Sequence, residues 1–264
     1  MVLLAILLTA PGLLRVYWAR RASNPVRRGV ARARALGCFS CHGNLGSAGI
    51  KDPGGENVEV PAWSGIYMMY VKNDDDVRRF ILEGSAHETQ ESEASSAHEH
   101  EHGHGEHKAA VEMPPFRDVL SGSDLEDLTS AFKVISGMVG PASDSAEEQG
   151  LGLARTWGCF SCHAPGGSGG APNPGSLAGF IPGWYGPDFK DLVRNRGEFD
   201  AWVREGGTPR MRANRVARYF MSRQRIQMPR YSNFSPAELD QLWAYTSWLD
   251  RSGGGVRKDS ERKP

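Results

Sequence analysis

The sequence predicts an all-α protein built from two tandem copies of one small domain, joined by long irregular loops. Three observations carry this expectation. The chain repeats itself, each copy is framed by helix signals, and glycine and proline crowd the stretches between those signals. A chain of 264 residues suits two domains of ordinary size. The charge balances at 31 Lys+Arg against 31 Asp+Glu, so nothing global argues for a nucleic-acid partner. Thirty-two glycines and sixteen prolines gather after two copies of one hexapeptide, which favours backbone-shaped loops over a continuous sheet.

The hexapeptide Gly-Cys-Phe-Ser-Cys-His stands at residues 37–42 and again at 158–163, and it uses all four cysteines. Sliding the sequence on itself by 121 residues aligns the copies without a gap from Gly29 to Gly65. Gly46, Pro53, Pro61 and Trp63 recur as Gly167, Pro174, Pro182 and Trp184. Identities concentrated on Gly, Pro and Trp mean a shared backbone path, hence two copies of one domain.

In chain order, residues 1–21 open with an apolar run ending in Tyr17, Trp18, Arg20 and Arg21. The run is short for a bilayer span, but its aromatic and basic end suits an interfacial belt. It is expected to be a hydrophobic helix that anchors the chain, or a signal-like segment. Residues 22–140 form the first domain, with a His- and Glu-rich insert at 85–110. Residues 141–252 form the second domain, and 253–264 a solvated tail. Each domain starts on a helix: Ser23 or Asn24 caps the first with Pro25 in its first turn, and Ser145 with Glu148 has capping-box spacing. Gly29 with Ala33, and Gly150 with Ala154, place small residues one turn apart. Such a face lets the closing helices, which begin near Ser123 and Ser235, cross close by.

The chemistry lies in the hexapeptide. Cys-x-x-Cys followed at once by His is the attachment pattern of c-type haem. A redox dithiol and a Cys₄ zinc site are the rival readings of paired Cys-x-x-Cys motifs. Here a histidine follows the second cysteine both times, and each copy has its own Met-Pro downstream, at Met113 and Met228.

With these residues the chain resembles the class I c-type cytochromes, across both repeats. The resemblance implies two covalently attached haem c groups, held through Cys38 and Cys41 with His42 on one iron, and through Cys159 and Cys162 with His163 on the other. It further implies Met113 and Met228 as the second axial ligands, which raise the potential and close the iron to substrates. Met68, Met69, Met138, Met211 and Met221 are the competing methionines, and His87 or a histidine of the insert competes with Met113. In the family a proline carbonyl accepts the other ring N–H of the ligating histidine, and Pro53 and Pro174 stand at the matching distance. Trp63 and Trp184 are expected at the haem edge, with the indole N–H on a propionate or simply buried.

The copies differ between the second helix and the methionine. The first carries the acidic, His-rich insert, which is either a solvated loop or a Zn²⁺/Cu²⁺ site. The second carries Arg210, Arg212, Arg215, Arg218, Arg223, Arg225 and Arg230 and no acid. These arginines either neutralise haem propionates or steer an acidic redox partner.

The resemblance thus implies a membrane-tethered electron carrier, not an enzyme, on the outer side of a bacterial membrane. Its partners would be a quinol-oxidising complex or a terminal oxidase. The arginines that follow the apolar run conflict with this side under the positive-inside tendency. A dihaem peroxidase and the cytochrome subunit of a dehydrogenase are the alternatives.

Overall fold

The computed structural model describes residues 12–13, 16–20, 23–53, 59–64, 71–85 and 110–256. Among them the chain is helical, with no strand; two isolated antiparallel bridges, Lys51–Glu59 and Pro172–Phe180, are the only sheet-like pairings. The all-α expectation therefore holds. No described helix is long and apolar enough to cross a membrane. The hydrophobic helix expected over 1–21 lies largely outside the described residues, as do the His-rich insert, Met68, Met69 and His87; residues 16–20 are helical.

The chain divides into two compact units, Arg28–Val139 and Gly140–Pro264, and residues through Arg27 group with the latter. The first unit comprises most of α1 (Pro25–Ala35), then α2 (Cys38–His42), α3 (Asp74–Glu83) and α4 (Gly122–Ser136). The second comprises α5 (Ala146–Thr156), α6 (Phe160–His163), α7 (Pro187–Leu192), α8 (Arg196–Glu205), α9 (Pro209–Ala213), α10 (Arg215–Arg223) and α11 (Pro236–Ser252).

The small-residue faces act as expected. In the first unit Gly29 lies against the Asp127 carbonyl of α4, where a Cβ would stand 1.9 Å from that oxygen. In the second, Gly150 lies the same way on the Gln241 carbonyl of α11. Ala33 and Ala154, one turn on, are wholly buried. Backbone can approach backbone this closely only where no side chain intervenes. Ion pairs also brace the first unit: Arg28 to Asp127 at 2.7 Å, Arg78 to Glu126 at 2.9 Å and Lys133 to Asp74 at 2.8 Å. The second unit has ion pairs of its own, Arg196 to Asp240 at 2.6 Å and Arg251 to Glu147 at 3.3 Å, and adds a larger apolar cluster that includes Tyr185, Phe199, Leu242, Tyr245 and Leu249.

The caps refine the sequence expectations. Asn24, not Ser23, caps α1 through its Oδ1 on the Arg27 N–H. Ser235 and Glu238 form a full capping box, and so do Ser121 and Asp124, which starts α4 at Gly122. Ser145 caps α5, but the Glu148 carboxylate accepts from the Asp144 N–H instead of that of Ser145. Asp144 has a φ of 60°, which brings its N–H within reach and opens the box by one residue.

Candidate functional site

Each hexapeptide begins on a glycine in the left-handed region, Gly37 with φ 80° and Gly158 with φ 68°, which turns the chain from the first helix into a short second one. The Cys159 N–H donates to the Ala154 carbonyl at 2.9 Å, tying the second hexapeptide to the last turn of α5. All four cysteines are unpaired thiols and half-buried. Burial pushes the Cys38 and Cys159 thiols above their usual range. The nearby Tyr231 hydroxyl acts the other way on Cys159, lowering it.

The two histidines are held alike. His42 Nδ1–H donates to the Pro61 carbonyl at 2.6 Å, and His163 Nδ1–H to the Pro182 carbonyl at 2.9 Å. A carbonyl can only accept, so the bond puts the proton on Nδ1 and leaves the lone pair on Nε2. Burial lowers both imidazoles and outweighs the raising effect of the proline bond, so it is burial that favours the neutral form. A neutral imidazole presenting Nε2, beside two thiols, is a donor set that can hold a covalently attached haem.

The acceptor corrects a sequence expectation. Pro53 and Pro174 do not take the histidine N–H; Pro61 and Pro182 do, eight residues later. The Pro174 carbonyl is already used by the Arg225 N–H at 2.9 Å, in the segment that leads to Met228. The loop after each histidine folds back on itself at the isolated bridge. The Val60 N–H bonds to the Ile50 carbonyl, and that of Ile181 to the Ala171 carbonyl, each at 2.8 Å. This returns Pro61 and Pro182 to the imidazole.

The same fold-back seats the tryptophans. Trp63 and Trp184 are 8% and 9% exposed. They lie 5.8 Å from the His42 ring and 5.3 Å from that of His163, and 5.2 Å and 5.5 Å from Phe39 and Phe160. Gly46 and Gly167, with φ of 75° and 67°, support them: a Cβ on either would stand 3.0 Å from the indole Cγ, too close for an ordinary contact. In the second unit Asp188 accepts from the Gly183 N–H at 3.1 Å and fixes the Pro182–Trp184 turn. Burial raises its carboxyl. The first copy has Tyr67 at the matching offset, beyond the aligned stretch, so the repeat gives no signal for Asp188.

The methionines sit at equivalent places. The helices α3 and α8 end in Gly84 (φ 64°) and Gly206 (φ 72°), and the Met113 and Met228 carbonyls pack where their side chains would be. Ser85 holds Met113 further: its hydroxyl accepts from the Met113 N–H at 2.8 Å, and its own N–H donates to the Met113 carbonyl at 3.0 Å. Met228 is half-buried in the cluster that also holds Cys159, Phe160 and Trp184. Of the competitors, Met221 packs its methyl over Gly207, Met211 lies in the first turn of α9, and Met138 follows the end of α4.

The seven arginines divide. Arg210 pairs with Glu198 at 2.8 Å and Arg212 with Glu205. Arg215, Arg218, Arg223, Arg225 and Arg230 are exposed and have no carboxylate partner among the described residues. The Arg210 guanidinium holds the Glu198 carboxyl down to about 2, below its ordinary 4.5. A depressed folded-state value means the pair stabilises above pH 4.5 and loses that contribution as pH falls toward 2. Glu198→Gln is therefore expected to flatten the acid limb of the stability curve between those values, read as urea midpoints against pH.

Among the described residues no three of His, Cys, Asp and Glu gather to hold one metal ion. Comparison of the chain with protein-family models, with curated proteins and with solved structures gave no match.

Proposed function

We propose that the chain is a dihaem c-type cytochrome that relays single electrons, with each iron held between the histidine of its hexapeptide and a methionine. The observation that carries this reading is the pair of Nδ1–H bonds to Pro61 and Pro182, which leave Nε2 of both histidines with its lone pair outward from the bond. A redox dithiol has no use for an imidazole fixed in this way, and a Cys₄ zinc site would leave both histidines idle.

Bound haem would supply one-electron exchange at its iron. The residues of the chain do the rest. Cys38, Cys41, Cys159 and Cys162 fasten it, and His42 and His163 coordinate it in a fixed ring orientation. Met113 and Met228 would each supply a thioether as a further ligand. Trp63 and Trp184 back the imidazoles and keep water from that side. The five exposed arginines of the second unit suit an acidic redox partner, such as a quinol-oxidising complex or a terminal oxidase. The apolar run at 1–21 would tether the chain to the outer side of a bacterial membrane.

The test is the mass of the denatured chain after expression in a host with haem-attachment machinery. Two haem groups should remain bound, and the doubles Cys38→Ala/Cys41→Ala and Cys159→Ala/Cys162→Ala should each keep one. Four free thiols in the wild type, or a retained zinc ion, would sink the proposal. A high-spin signal in the resting oxidised protein would favour the peroxidase alternative.

A further inference from the structure

Ten residues after each histidine the copies differ, Asp52 against Asn173, and both side chains are buried, at 7% and 4% exposure. Asp52 Oδ1 accepts from the Ala110 N–H at 2.9 Å and from the Val111 N–H at 3.0 Å. Asn173 Oδ1 accepts from the Ile226 N–H at 2.8 Å, and its Nδ2 donates to the Ile226 carbonyl at 2.9 Å. Val111 and Ile226 each stand two residues before the methionine. The intervening segments differ in length and composition, yet the same tie joins the histidine loop to the methionine loop in both units. Burying a carboxylate or a carboxamide is costly unless its bonds are made, so such a tie is kept where a loop must be held in place.

We infer that Asp52 and Asn173 are the positioning residues of the two methionine loops, and that the carboxylate in the first unit and the carboxamide in the second set the first centre at the lower potential. This rests on the dihaem reading. A buried negative charge stabilises the more positive, oxidised iron, whereas an amide adds no net charge. Asp52 has no ion pair with a basic side chain among the described residues that would offset it; backbone N–H groups alone hold it. Electrons would then run downhill from the first unit to the second.

The full-length protein with both haems tests this by potentiometric titration and near-infrared absorption. Asp52→Asn should move only the lower-potential wave upward, by about threefold or more in its oxidised-to-reduced ratio at a fixed poise. Asn173→Asp should move only the upper wave downward, and both variants should keep the methionine-to-iron band. Asn173→Leu, which cannot make the tie, should lose about half of that band while both haems stay covalently bound. Waves that do not move, or an upper wave shifted by Asp52→Asn, overturn the potential assignment. Full band intensity in Asn173→Leu overturns the positioning role. Should that variant fail to fold, the two exchange variants still decide through their waves. A wild type without covalent haem fails the dihaem reading itself, and the denatured mass separates that result from the others.

Discussion

Replacing Gly150 with valine is expected to destabilise the second unit by about 3 kcal/mol or more. A Cβ at Gly150 would stand 2.1 Å from the Gln241 carbonyl oxygen and 2.9 Å from the Tyr245 Cβ. The obstacle is helix backbone, which cannot rotate away as a side chain would. Helices α5 and α11 must separate, and separation uncovers Leu242, Tyr245 and Leu249, all at or below 3% exposure. Overpacking of this kind costs about 1–3 kcal/mol and sometimes more, against a total stability on the order of 5–15 kcal/mol for a domain. The internal control is Gly152, two residues on in the same helix, where a Cβ would meet nothing within 4 Å. Gly152→Ala should stabilise by up to about 1 kcal/mol, because only the backbone entropy of glycine is removed. Denaturant unfolding followed by helical circular dichroism compares the two. Equal midpoints would mean that the crossing of α5 and α11 tolerates the extra carbons. The effect should reach the site, since the Cys159 N–H hangs from the Ala154 carbonyl of the displaced helix.

That crossing was legible in the sequence because it rests on absent side chains, and a glycine conserved between copies announces itself by identity. The hexapeptides, the tryptophans and the Met-Pro pairs were legible for the same reason. The proline acceptor was not. Two prolines in each copy recur at the same offset, and nothing in the residues says which carbonyl the loop will return to the imidazole. The answer lies in the fold-back at the Lys51–Glu59 and Pro172–Phe180 bridges, single pairings eight residues apart that no alternating strand pattern announces. Identity between the copies hides Asp52 and Asn173, because an aspartate against an asparagine is a difference. Their shared function is a side-chain oxygen that accepts a backbone N–H, which both residues supply. Asp188 could not be found by comparing copies at all, since its role is visible only through the Gly183 N–H that it fixes.

On the dihaem reading proposed above, Met228→Leu is expected to remove the second centre's methionine-to-iron band and to lower its potential, with little loss of stability. Leucine nearly matches methionine in volume, and such swaps usually cost less than about 1.5 kcal/mol, so the variant separates ligation from packing. Position sets Met228 apart from its neighbours. Its backbone is pinned on Gly206, a following proline restrains it to extended geometry, and its side chain lies in the same apolar cluster as Cys159 and Trp184. Met221 is committed to Gly207, so Met221→Leu should disturb that contact and leave the band intact. A thioether stabilises reduced iron better than oxygen or nitrogen ligands do, hence the downward shift when it is lost. The matching Met113→Leu should remove the other half of the band, and the double variant all of it. The double variant should also bind added cyanide or carbon monoxide at both centres, which the wild type should resist. If Met228→Leu keeps its band and Met221→Leu loses it, the sulfur belongs to the α10 methionine. The carbonyl contacts at Gly84 and Gly206 would then serve only to end their helices.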